Sequence, residues 1–188
     1  MQQRRPHSRV MVGLLSLAVL VGAALTSSLA QADTGAGPYF APPAWNRTLP
    51  SAGRFLVLTN FASLAVLDRE TGLVWEKSPS ATLQTWLSAL AECAAVRTTG
   101  GRKGWRLPSM PELASLIDPS VASPGPTLPA GHPFTNVQSA FYWSASTLAA
   151  DPANAWLVGF GGGDVTFSGK ANGNYAWCVR GAMNADAY

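Results

Sequence analysis

The chain has 188 residues, 47% of them apolar and 12% charged, which fits one folded domain with some sequence to spare. Of its 13 Lys and Arg, Arg4, Arg5 and Arg9 precede residue 33 with no acid among them, leaving 13 − 3 = 10 basic against 10 acidic residues in the remainder. That neutral balance excludes an electrostatic grip on nucleic acid, which needs a basic surface to displace counterions.

The front of the chain reads as an export signal. A basic start is followed by an apolar run from Val10 to Leu25 and then SSLAQAD, where Ala30 and Ala32 give the small-x-small pattern of a cleavage site. This predicts a signal peptide over 1–32, cut between Ala32 and Asp33, export by the Sec route and a periplasmic or secreted product. The chain then meets a membrane only during export. The alternative, an uncleaved anchor, needs a span of roughly 20 apolar residues, longer than this run. No cysteine precedes Cys93, so no lipid can be attached near the cleavage site.

Residues 33–53 hold Pro38, Pro42, Pro43 and Pro50 with no apolar period and read as a tether. Order is expected from Arg54. RFLVL (54–58), SLAVLD (63–68) and GLVWEK (72–77) read as strands, the last two joined by an Asp–Gly turn. From Ser80 to Val96 the period becomes helical: Leu83, Trp86, Leu87, Leu90 and Ala94 share one face, with Ser80 or Thr82 as N-cap and Cys93 at the edge of that face.

The block GWRLPSMPELASLID (104–118) carries its own logic. Pro108 forces Leu107 extended. Ser109 with Glu112 three residues on makes a capping box, and Pro111 sits in the first helical turn. Trp105, Arg106, Pro108, Ser109 and Glu112 therefore read as a structural motif. Arg106, set between apolar residues, wants either a structural ion pair or a ligand. A Pro-rich connection spans Asp118 to Asn136, long enough to expect function or mobility. Strand-like runs follow at 140–146, 154–160, 163–168 and 175–181, with Gly161–Asp164 as a hairpin turn. In an exported protein the pair Cys93 and Cys178 is most simply a disulfide, and closing so long a loop is worth at most about 4 kcal/mol. The rival is a free nucleophilic cysteine, for which His132 is the available partner.

The blocks TGLVWEK, a helix with a late Cys, GWRLPSMPELASLID, FYWSAS, a strand–Gly turn–strand and WCVRG, in this order, resemble the Lcl C-terminal domain family. The resemblance covers 54–182 and leaves 183–188 as a tail. It implies an α+β, C-type lectin-like fold, with two helices packed on small antiparallel sheets and long irregular loops. It also implies a disulfide from the first helix (Cys93) to the last strand (Cys178). Gly104 stands where relatives often carry an acid. The family's namesake is an adhesin, which implies sugar-polymer binding.

The function expected is that of an exported, non-enzymatic binding module for a glycan or another envelope or extracellular ligand. Candidate contacts are Tyr142 and Ser144, on the strand face opposite Trp143, and a ligand surface formed by the Pro-rich connection with the tip KANGN, including Asn172, Asn174 and Tyr175. No cofactor and no metal are expected. Calcium takes six to eight oxygens, and Asp164 with Asn172 and Asn174 is too sparse. One alternative is an envelope assembly component contacting a protein partner, with the oligomeric state open. A second is an enzyme on a fold like that of the formylglycine-generating enzyme, which requires a free thiol; three carboxylates, Glu112, Asp118 and Asp164, would be its acid–base candidates.

Overall fold

The computed structural model describes residues 49–96 and 98–181. The expected signal peptide (1–32), the tether up to residue 48 and the tail (183–188) lie outside the described residues. Among the described residues no helix is long and apolar enough to cross a membrane.

The protein is α+β, with a few short helices and two antiparallel sheets. Its elements are α1 (Ser51–Arg54), β1 (Phe55–Val57), β2 (Ala65–Asp68), β3 (Val74–Glu76), α2 (Trp86–Ala91), β4 (Trp105–Arg106), α3 (Met110–Ala114), β5 (Phe141–Thr147), β6 (Asn154–Gly159), β7 (Val165–Gly169) and β8 (Val179–Arg180). Residues 51–53, expected as the end of the tether, form a helical turn with Arg54, whose side chain is buried.

One sheet has the order β1-β2-β3-β8-β4, and the other β5-β6-β7. The meander β1-β2-β3 closes through a turn in which the Gly72 N–H reaches the Asp68 carbonyl at 2.7 Å, with Gly72 at φ 73°. That left-handed backbone favours glycine. β8 enters between β3 and β4, pairing Trp75 with Val179 on one side and Arg106 with Val179 on the other.

Two apolar cores lie on opposite sides of shared strands. Neighbouring residues alternate between them: Val66 and Ala65, Tyr142 and Trp143, Val158 and Leu157, Trp177 and Cys178 each send one side chain to each core. This follows from the two-residue period of a strand. Because both faces are covered, these runs are apolar almost throughout.

The second helix corrects the sequence reading. Its N-cap is Thr85, whose hydroxyl accepts the Ser88 N–H, and not Ser80 or Thr82; α2 ends at Ala91 and widens into a π turn over Glu92–Val96. The buried positions are Ala89 and Cys93, with Trp86 and Leu90 packed beside them. Leu83 and Leu87 are 58% and 69% exposed, so the stripe is rotated from the predicted face. The cause is tertiary: the disulfide and the Trp86 indole turn the helix. The Trp86 Nε1–H donates to the Ser144 carbonyl at 2.8 Å. The last strand is also shorter than predicted. Tyr175 makes only an isolated parallel bridge to Tyr142, and regular pairing is confined to Val179–Arg180.

Candidate functional site

The WRLP block is scaffolding. β4 delivers Arg106 to the start of α3, where its two terminal nitrogens grip the Glu112 carboxylate at 2.8 and 2.6 Å, and Nη2 also donates to the Gly181 carbonyl at 2.8 Å. Ser109 caps α3, and the Glu112 carboxylate accepts the Ser109 N–H at 2.8 Å, completing the capping box. The Pro108 carbonyl accepts the Ala145 N–H at 2.7 Å and so fastens the block to β5. Each motif residue is thereby occupied: Trp105 and Pro108 in the interior, the others in this fork.

Burial pushes the Glu112 carboxyl up, but the hydrogen bonds from Arg106 and Ser109 and the Arg106 charge outweigh it and hold it below its ordinary value of 4.5. A folded value below the unfolded one means the contribution to stability is fully present above the unfolded value and lost as pH falls through the folded one. Acidification below pH 4.5 is therefore expected to lower the unfolding free energy. Glu112→Gln should flatten that decline while lowering stability at neutral pH. Urea titrations above and below this range check both.

The other carboxylates considered for acid–base work have their own places. Asp118 accepts the Ser120 hydroxyl and N–H at 2.6 and 2.9 Å, and these bonds hold it below the usual range. Asp164 is exposed in the turn between β6 and β7. Cys93 and Cys178 form the disulfide, spanning a sequence separation of 85, and no cysteine is free. His132, the proposed partner of a free thiol, instead stacks on Phe134 at 5.9 Å, and burial lowers its pKa.

Of the residues nominated for ligand contact, Tyr142 and Ser144 are fully buried. The Tyr142 hydroxyl accepts the Gln138 N–H at 2.7 Å, and burial pushes its pKa up to about 12. The Ser144 hydroxyl donates to the Trp156 carbonyl at 2.8 Å. The reading that they oppose a core-facing Trp143 is right about alternation; both faces of β5 are nevertheless interior. Tyr175 is half-buried against Tyr142 at 5.5 Å. Asn174 pairs its backbone with Gln84 at 2.9 and 3.0 Å. Asn172 is the exposed member, its amide donating to the Ser168 hydroxyl at 2.9 Å. The tip 170–174 is thus locked to the chain leading into α2, and Lys170 lies over the Trp86 ring at 3.9 Å.

A concavity of about 300 Å³ opens elsewhere, lined by Ser63, Leu64, Glu76, Lys77, Ser78, Thr99 and Thr135. β3 supplies its floor. The Glu76 carboxylate, 2% exposed, accepts the Thr99 hydroxyl at 2.6 Å and the Cys178 N–H at 3.4 Å. The turn after β1 contributes Ser63 and Leu64, with Leu64 52% exposed. The Pro-rich connection contributes Thr135, whose N–H is tied to the Lys77 carbonyl at 2.8 Å. Sequence reasoning named the Pro-rich connection as a ligand surface but missed the other lining residues. With Thr135 the lining comes from four separate segments, and no spacing signals their convergence.

The model of the Lcl C-terminal domain family matches residues 64–180, more than half of the chain. The chain belongs to the Lcl C-terminal domain family. No curated protein matches it. The matched Lcl stretch runs from Leu64 to Arg180 and so contains the Cys93–Cys178 disulfide, the Arg106–Glu112 fork and all but Ser63 of the concavity. Arg54, which closes a buried ion pair with Asp68, lies before it.

Proposed function

We propose that this chain is an exported, non-enzymatic binding module for a glycan or another hydroxyl-rich envelope or extracellular ligand, built on a C-type lectin-like arrangement. The observation that carries the reading is the concavity, which Ser63, Ser78, Thr99 and Thr135 line together with Lys77 and the exposed Leu64. Hydroxyl and ammonium groups exchange hydrogen bonds with sugar hydroxyls, and an aliphatic wall suits the C–H face of a ring. The volume suits about one ring and lies at the small end of ligand sites.

A passive role is supported by how the carboxylates are held. Glu76 and Glu112 accept structural hydrogen bonds, and both thiols are oxidised. Export is supported by the leader pattern over 1–32 and by a disulfide, which persists in oxidising compartments. The helix-to-strand disulfide, two small sheets and the long connection over 118–136 support the lectin-like arrangement.

The test is a glycan array probed with purified protein. A signal is expected that Leu64→Ser and Lys77→Ala each weaken about tenfold, equivalent to about 1.4 kcal/mol. Both side chains lie outside the cores, so the variants should keep the wild-type melting temperature. An array without signal for folded protein rejects the glycan reading.

A further inference from the structure

The sheet β5-β6-β7 ends in the edge strand β7, which holds no charged residue, proline or bulge within Val165–Gly169. β7 carries Val165 and Phe167 at 42% and 52% exposure, and no described strand pairs with its outer side. Edge strands are normally blunted by charge, proline or a bulge because their free backbone groups pair with other chains.

The register tells which backbone groups are free. The Gly159 N–H reaches the Asp164 carbonyl and the Lys170 N–H reaches the Ala153 carbonyl, which brackets the β6–β7 ladder. Hydrogen-bonded pairs alternate in an antiparallel ladder. With Ala155 opposite Ser168 and Leu157 opposite Thr166, the even-numbered residues of β7 bond inward. The N–H and C=O of Val165 and Phe167 and the N–H of Gly169 therefore point outward.

We propose that β7 pairs antiparallel with β7 of a second copy of this chain, about a twofold axis through Phe167, joining two three-stranded sheets into one. In that register Phe167 meets Phe167, Val165 meets Gly169, Thr166 meets Ser168 and Asp164 meets Lys170. The outward backbone groups then bond one another. Charge complementarity singles this register out. A shift of two residues, the smallest that keeps outward groups facing, sets Asp164 opposite Ser168 or Asn172 and forfeits both ion pairs. The aromatic face is continuous as well: Phe167 packs edge-on against Trp156 at 6.0 Å, so pairing lines up Trp156, Phe167 and their symmetry mates. Lys170 now crosses β6 to donate to the Thr147 hydroxyl of β5 at 2.9 Å and lies over Trp86, so its flexible four-carbon stem swings outward to meet Asp164 of the second copy. A strand-to-strand contact is smaller than a standard interface, so the dimer is weak and concentration-dependent. This inference is independent of the ligand reading.

Sedimentation of protein purified after expression of the full-length sequence tests it. The mass should rise with concentration toward twice the monomer. Phe167→Lys places two like charges on the axis, and Asp164→Lys sets it against Lys170; both should return the monomer with an unchanged circular dichroism spectrum. Combining Asp164→Lys with Lys170→Asp should restore the dimer, a recovery that general damage to the fold does not produce. A wild-type mass that never leaves the monomer overturns the proposal. So does a dimer indifferent to Phe167→Lys, or one that the double exchange fails to restore.

Discussion

Replacing Cys93 and Cys178 together with Ala is expected to lower the unfolding free energy by about 4 kcal/mol and the melting temperature on the order of 10 °C. The bridge closes a sequence separation of 85 between the π turn after α2 and the residue before β8, and both half-cystines are fully buried. Without it the unfolded chain regains the freedom of that loop. Two further constraints depend on the same place. The Cys178 N–H donates to the Glu76 carboxylate, and the Cys178 carbonyl accepts the Glu76 N–H at 3.2 Å. Loosening residue 178 therefore loosens the floor of the concavity. Urea denaturation of the double Ala variant beside the wild type, with and without reductant, measures the effect. Equal stability in all four samples shows that the bridge contributes nothing.

The second large effect lies at the buried ion network of Arg54. Its Nε and Nη2 donate to the two Asp68 carboxylate oxygens at 2.9 and 2.8 Å, Nη2 also reaches the Ser115 carbonyl at 2.7 Å, and Nη1 pairs with Glu70 at 2.9 Å. The side chains of Arg54 and Asp68 are 8% and 0% exposed. Asp68→Ala leaves a guanidinium largely out of water without its main counter-charge and should cost about 3–5 kcal/mol. Replacing both partners with apolar residues of similar volume should cost much less, since a buried pair roughly offsets its own desolvation. A double-mutant cycle of Arg54→Met and Asp68→Leu separates these terms; additive losses would show that the two side chains do not act as a pair.

Several parts of the fold were legible from short-range rules. The capping box of α3 needs only Ser109, Glu112 and the Pro111 between them, because cap geometry is local. The β6–β7 hairpin is marked by its glycines, with Gly163 at φ 78° in the turn. Other parts were not legible. The amphipathic pattern of 80–96 fits a helix face through Leu83 and Leu87 as well as one through Ala89 and Cys93, and periodicity alone does not choose between them. Four of the seven Trp (Trp75, Trp105, Trp143 and Trp177) are core residues and not stacking platforms. The expected contact residues Tyr142 and Ser144 failed as surface groups for the same reason: alternation says that neighbours face opposite ways, not that either way is solvent.

By itself the sequence determined most of the local elements, the α3 cap and the β2–β3 and β6–β7 turns, and the Lcl family membership carried by six ordered blocks. These depend on residues a few positions apart, or on a pattern repeated across relatives. The tertiary structure alone decided which strand faces are covered, that Arg54 reaches Asp68, and that residues from four segments meet around Glu76. Burial and convergence depend on what packs against a residue across long separations, and no local spacing encodes that.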